Sequence, residues 1–170
     1  MRIASQPDTN GTGGQYLIFS LGRERFAANI LNIKEIIEFR SLTEVPMMPT
    51  FVRGVLNLRG SVVPVIDLTA RFGRGQTAIN PRTCVVIVEM HDENHHIIGV
   101  MVNAVCEVME IADANIEPPP SFGTHLRADF IHGMARVEDE FVIALKLDTV
   151  LSAEELGRLA SERFAEGCAA

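Results

Sequence analysis

The feature that most constrains this chain is a repeat within it. Phe51-Val-Arg-Gly54 resembles Phe130-Ile-His-Gly133, 79 residues on. Each is followed by a hairpin pattern that closes on an apolar strand with an aspartate at its end, Asp67 or Asp148. Upstream, Ile30, Ile33, Glu35 and Ile36 return as Val102, Val105, Glu107 and Val108, 72 residues on. Self-similarity at about 75 residues argues for duplication of one small unit. Each copy reads hairpin, apolar strand carrying a glutamate, Phe-x-x-Gly turn and second hairpin, about five short strands at the spacing of an SH3-like barrel. Units of this size have little core of their own. The pattern therefore predicts an all-β fold of two SH3-like five-stranded β-barrel subdomains sharing a core. One sandwich of about eight to ten strands fits the strand count almost as well.

Local signals fill in that plan. Period-two runs either side of Gly22-Arg-Glu-Arg25 predict a first hairpin, and 55–58 with 62–68 a second. Pro64 lies inside a strand, which favours an edge or a bulge. A third hairpin surrounds His91-Asp-Glu-Asn-His-His96, and 141–147 is a final strand. Ser152 with Glu155 makes a capping box ahead of Leu156, Leu159 and Phe164, which predicts a C-terminal α-helix. The expected organisation is a flexible tail over 1–14 and one domain over 15–150, followed by a helix and tail over 151–170. Within the domain, approximate subdomains span 15–80 and 81–150, with scope for strands to be exchanged between them.

Candidate chemistry is sparse. The chain carries 15 basic against 22 acidic side chains, a net charge of −7, and only two of the basic residues, Lys34 and Lys146, are lysines. That balance lacks the basic footprint of a nucleic-acid binder, and one tyrosine with no tryptophan leaves few stacking platforms. A small OB-like nucleic-acid binder is accordingly the weaker alternative. Three cysteines without CxxC spacing suit reduced thiols, and Cys84 and Cys106, placed in apolar strands, read as core residues. His91, His95 and His96 share a polar turn, so a solvated loop outweighs a zinc centre there. No run is apolar enough to predict a signal peptide or membrane span. No set of residues supplies nucleophile, base and oxyanion donor together, so neither catalysis nor a cofactor is expected. Gly54 and Gly60 suit turns that need left-handed backbone or close approach, and Gly133 is their counterpart in the second copy. Glu35 and Arg59 lie among aliphatics, as a paired structural ion or as elements of an interface. Arg53 and Arg59, planar and permanently charged, suit register-setting contacts better than lysine would.

The block from Gly54-Val-Leu-Asn-Leu-Arg-Gly60 through Pro64-Val-Ile-Asp-Leu68 resembles the CheW family of chemotaxis coupling proteins. So do Gln15-Tyr-Leu-Ile-Phe-Ser-Leu21, Ile33-Lys-Glu-Ile36, Pro49 to Gly54, Ile97 to Val102, Ile116-Glu-Pro-Pro-Pro120 and Phe130-Ile-His-Gly133. The resemblance covers about residues 15 to 150 and implies two SH3-like barrels around a shared core. It implies a non-catalytic cytoplasmic adaptor, held at membrane receptor arrays through protein contacts. Its partners would be the cytoplasmic tip of methyl-accepting chemoreceptors and the regulatory domain of the chemotaxis histidine kinase. Carried over residue by residue, Ile33, Glu35, Ile36 and Arg59 would face the receptor in a groove between the subdomains, and Phe122 would meet the kinase. Couplers of twitching-motility or second-messenger pathways share these features. Departures are Ile37-Glu38, where many members have a small residue, the three-histidine turn and the C-terminal extension.

Overall fold

The computed structural model describes residues 13–90, 96–118 and 130–151. Residues 1–12, His91, His95, Phe122 and the helix expected after Leu151 lie outside the described residues. Gly22, with φ of +62°, reverses the chain after β1 (Gly13–Leu21), so β2 (Glu24–Asn29) pairs antiparallel with it, Phe26 opposite Phe19. A 3-10 turn over Ile30–Asn32, capped by the Asn29 side chain, leads into β3 (Ile33–Glu38). The second hairpin is β4 (Val52–Leu58) and β5 (Ser61–Asp67), followed by the single-turn helix α1 (Leu68–Arg71). Next come β6 (Cys84–Glu89), β7 (Ile97–Val102), β8 (Ala104–Ala112) and the two-residue β9 (Ile116–Glu117). The last hairpin, β10 (Ile131–Val137) and β11 (Glu140–Leu145), runs into α2 (Leu147–Val150).

The strands form a five-stranded sheet ordered β3-β6-β7-β5-β4 and a six-stranded sheet ordered β8-β1-β2-β11-β10-β9. Replacing each strand of the first by its counterpart in the repeat generates the second, with β9 added. The extra strand makes six where five were expected. The sheets do not part the chain near residue 80. β1 and β2 join the second copy, where β11 runs parallel to β2, and β6 and β7 complete the first, where β5 runs parallel to β7. Parallel neighbours need a crossover connection, and here the crossing segments weave the two sheets together.

Apolar residues gather in three clusters, which explains why many strands are nearly continuous apolar runs rather than clean alternations. One cluster, with Val63, Val65, Val85, Ile87 and Met101, belongs to the five-stranded sheet. A second, with Tyr16, Ile18, Ile111, Val142 and Ala144, belongs to the six-stranded sheet. The largest, built around Leu17, Phe19, Phe26, Ile66, Val86, Val100, Phe130 and Leu145, draws on both sheets and is the shared core.

Backbone detail repeats as well. The β3–β6 ladder skips Lys34 between Ile33 and Glu35, and the β8–β1 ladder skips Cys106 between Val105 and Glu107. That bulge leaves Cys106 exposed, contrary to its expected place in the core. Pro64 is not at an edge, since β5 lies between β7 and β4, but the β4–β5 ladder is bulged beside it, between Val52 and Gly54. It is tolerated because its partner Val55 bonds to Thr43 instead, and the pairing of β5 with β7 starts only at Val65.

The two terminal aspartates are not counterparts. Asp67 donates its backbone N–H to the Phe51 carbonyl, and Lys146 donates the same bond to Phe130. Asp67 caps α1 and Lys146 stands at the same place before α2, so Asp148 lies inside that helix. Asp148 therefore lies two residues beyond the true counterpart of Asp67.

Candidate functional site

The β4–β5 turn is short and left-handed, with φ of +52° at Arg59 and +88° at Gly60. Two consecutive positive angles make the primed hairpin turn that suits strand twist. The Asn57 side chain accepts the Gly60 N–H at 2.8 Å and holds the turn closed. Arg59 reaches from this turn to Glu35 on β3, with Nη2 at 2.9 Å from Oε2. The two side chains are unequally placed: Arg59 is 70% exposed and Glu35 only 15%. Their elements belong to one sheet, so the ion pair ties the turn to the far edge strand of the first barrel and does not span the two barrels. An exposed pair contributes about 0.2–1 kcal/mol. Glu35 Oε1 is buried and has no hydrogen-bond partner among the described residues, a condition that costs about 1–3 kcal/mol when left unmet.

The bulge at Lys34 decides where the neighbouring isoleucines go. Ile33 packs half-buried against the shared core, and Ile36 lies within it at 7% exposure. Ile36 is thus mostly buried in the core, and its remaining surface lines the groove beside the pair. Beside the pair, a groove of about 790 Å³ follows the edges of β3 and β4, lined by Ile37, Leu42, Leu56 and Val85 with Glu38 and Arg40.

Arg53 has a different task from Arg59. Its Nη1 donates to Asp67 Oδ2 at 2.8 Å, and Asp67 is fully buried. The same carboxylate accepts the Thr77 N–H at 2.8 Å, the Thr77 hydroxyl at 2.6 Å and the Thr69 N–H at 3.0 Å. This network caps α1 and pins the chain at Thr77 to it. It is structural, and Arg53 is not available to a partner. No sequence signal linked Thr77 to it, since a lone threonine in a polar loop carries no periodicity.

The glycines serve close approach. A Cβ on Gly54 would lie 2.5 Å from the Thr43 carbonyl oxygen, and one on Gly133 would lie 2.7 Å from that of Glu117. Thr43 bridges to β4 as β9 pairs with β10, so the two contacts are one feature seen twice. Gly54 also has φ of +151°. Burial pushes the Cys84 thiol up from its ordinary value, with neighbouring Glu38 adding to the rise. Among the described residues no group of three or more His, Cys, Asp or Glu side chains could hold a metal ion, and no helix is long and apolar enough to cross a membrane.

Comparison with known proteins agrees with this architecture. The chain is 30% identical over 144 residues to the chemotaxis protein CheW of Klebsiella aerogenes, covering 85% of each chain. It is 30% identical over 155 residues to the chemotaxis protein CheW of Rhizobium meliloti, covering 91% of this chain and 97% of the relative. The crystal structure of the scaffolding protein TtCheW from Thermoanaerobacter tengcongensis superposes with a TM-score of 0.74 at 33% identity, over 86% of this chain and 93% of that one. The two-barrel fold with a shared core is thus that of a known scaffold. With the CheW-like domain model matching residues 15–155, the chain belongs to the CheW-like family of chemotaxis proteins.

Proposed function

We propose that the protein is a non-catalytic scaffold that couples methyl-accepting chemoreceptors to the chemotaxis histidine kinase. The observation that carries this reading is similarity along nearly the whole chain to proteins named for chemotaxis and to a solved scaffolding protein. The receptor's cytoplasmic tip would dock at Glu35 and Arg59, beside Ile33, with Ile36 holding β3 from below. Glu35 supports this assignment because one of its carboxylate oxygens is already paired and the other lacks a donor among the described residues. A donor from the receptor would complete it, and Arg59 would fix register more than affinity. The kinase's regulatory domain would bind elsewhere, with Phe122 as its contact. Both associations would gather the protein at receptor arrays in the cytoplasm.

Arg59→Asn tests the receptor contact, since asparagine tolerates the left-handed turn and removes the charge. Receptor-tip affinity should fall about tenfold, by about 1.4 kcal/mol. The thermal midpoint should move by no more than about 4 °C, because an exposed pair contributes at most about 1 kcal/mol. Unchanged affinity, or a protein that no longer folds, would remove Arg59 from the interface.

A further inference from the structure

The short segment after Asp67 leaves its own barrel and grips the other. Arg71, at the end of α1, places its guanidinium carbon 5.2 Å from the ring centre of Phe51 and 4.9 Å from that of Phe130. These two phenylalanines are the same position of the repeat, one in each copy. The Arg71 Nε–H donates to the Val150 carbonyl at 3.1 Å, at the end of α2. Phe72 follows, with its ring centre 5.7 Å from Phe26 and 6.0 Å from Phe130, both of which border the six-stranded sheet. Arg74 then pairs with Glu24 on β2 at 2.7 Å. Three of four consecutive residues, Arg71, Phe72 and Arg74, thus make contacts that cross from the first barrel to the second. The root of the segment is fixed by the buried Asp67 network.

We infer that Arg71 is the positioning residue that sets the angle between the two barrels. A guanidinium is flat and permanently charged, so it lies over aromatic rings while donating in its own plane to a carbonyl. Lysine keeps the charge but has neither the plane nor the Nε donor. The contacts matter for coupling because β5 runs from the Arg59 turn directly into α1, so the hairpin that would meet a receptor ends at the clasp. A scaffold that must hold two partners in fixed geometry needs its halves locked. This functional weight rests on the coupling role proposed above; the geometric claim does not.

The test compares Arg71→Lys and Arg71→Met with the parent. Spin labels at Val62→Cys and Phe141→Cys, two exposed and equivalent positions, are introduced after Cys84→Ala, Cys106→Ser and Cys168→Ser, and the distance distribution is measured by pulsed electron resonance. The parent should give one narrow distribution. Both variants should at least about double its width while far-UV circular dichroism is unchanged. If the methionine variant does not fold, the lysine variant decides alone. A parent-like width in the lysine variant overturns the proposal. In reconstituted arrays, each variant should bind receptor tip and kinase domain separately within about twofold of the parent, yet lose about fivefold of receptor-stimulated kinase activity. Full stimulation despite a widened distribution would overturn the functional half. Failure of the parent to bind either partner would strike the coupling reading alone, because the distance measurement involves no partner.

Discussion

Where the first copy of the repeat buries Asp67 in five hydrogen bonds, the second exposes Lys146 with no capping side chain at all. The partner positions diverge in step: Arg53 of the first copy is half-buried and paired, and its counterpart His132 is exposed. The turns tell the same story. Arg59 and Gly60 share left-handed backbone with Glu138 and Asp139, at φ of +52° and +88° against +50° and +65°. One turn presents a cation held by Glu35, and the other presents two acids. Backbone geometry has thus been kept in both copies, and side-chain chemistry has been kept in one. The receptor contact proposed above would accordingly use the first barrel, because the second turn has no arginine to offer.

The sharpest way to break this comparison is to remove the two counterparts in turn. Asp67→Ala leaves the Arg53 charge and the Thr77 donors facing a buried void, and should cost about 3–5 kcal/mol in urea unfolding. Lys146→Ala, an exposed change at the same repeat position, should stay within about 0.5 kcal/mol. Equal losses would mean that the copies depend on this site alike. The glycines should give a smaller contrast. Gly54→Ala meets the Thr43 carbonyl oxygen and must also hold a left-handed φ, together about 3 kcal/mol. Gly133→Ala meets Ile116 and the Glu117 carbonyl without that strain, about 2 kcal/mol. A milder effect at Gly54 than at Gly133 would show that backbone conformation counts for little there.

Much of this duplication was legible in the sequence. The Phe-x-x-Gly turns, the glutamate strands and the hairpins announce two like units, because turn chemistry and period-two patterning are local. Three things were not. Strand exchange was within expectation, but which strands cross depends on Phe26 and Ala27 pairing with Ile143 and Ala144, and no local pattern encodes a partner more than a hundred residues away. The bulges at Lys34 and Cys106 reset which side chains face inward, so Ile36 went to the core and Cys106 to the surface against a simple reading of alternation. Nothing in the sequence marks Arg71, or the helical turn it closes, apart from the other arginines. Its role comes from Phe51 and Phe130, equivalent positions of the repeat that meet only in the folded chain, on either side of its guanidinium.

The cores of the two barrels offer the finest contrast. In register, Tyr16 of β1 sits where β6 has Val85: Tyr16 faces Asn29 on β2, and Val85 faces Met101 on β7. Each lies in the private core of its barrel, so the second barrel alone carries a titratable ring there. Burial raises the Tyr16 phenol above its ordinary 10.0, nearby Asp113 adds to the rise, and a hydrogen bond with Asn29 opposes it. The folded state therefore favours the neutral phenol. That contribution is fully present below pH 10.0 and is lost as the pH climbs through the raised value. Tyr16 is the only tyrosine and the chain has no tryptophan, so absorbance near 295 nm follows this one group. Its midpoint should lie above 10.0, and urea should unfold the parent more easily at about pH 11 than at about pH 9. Tyr16→Phe should flatten that part of the pH dependence. An equally steep loss in the phenylalanine variant would place the alkaline sensitivity outside the second barrel's core.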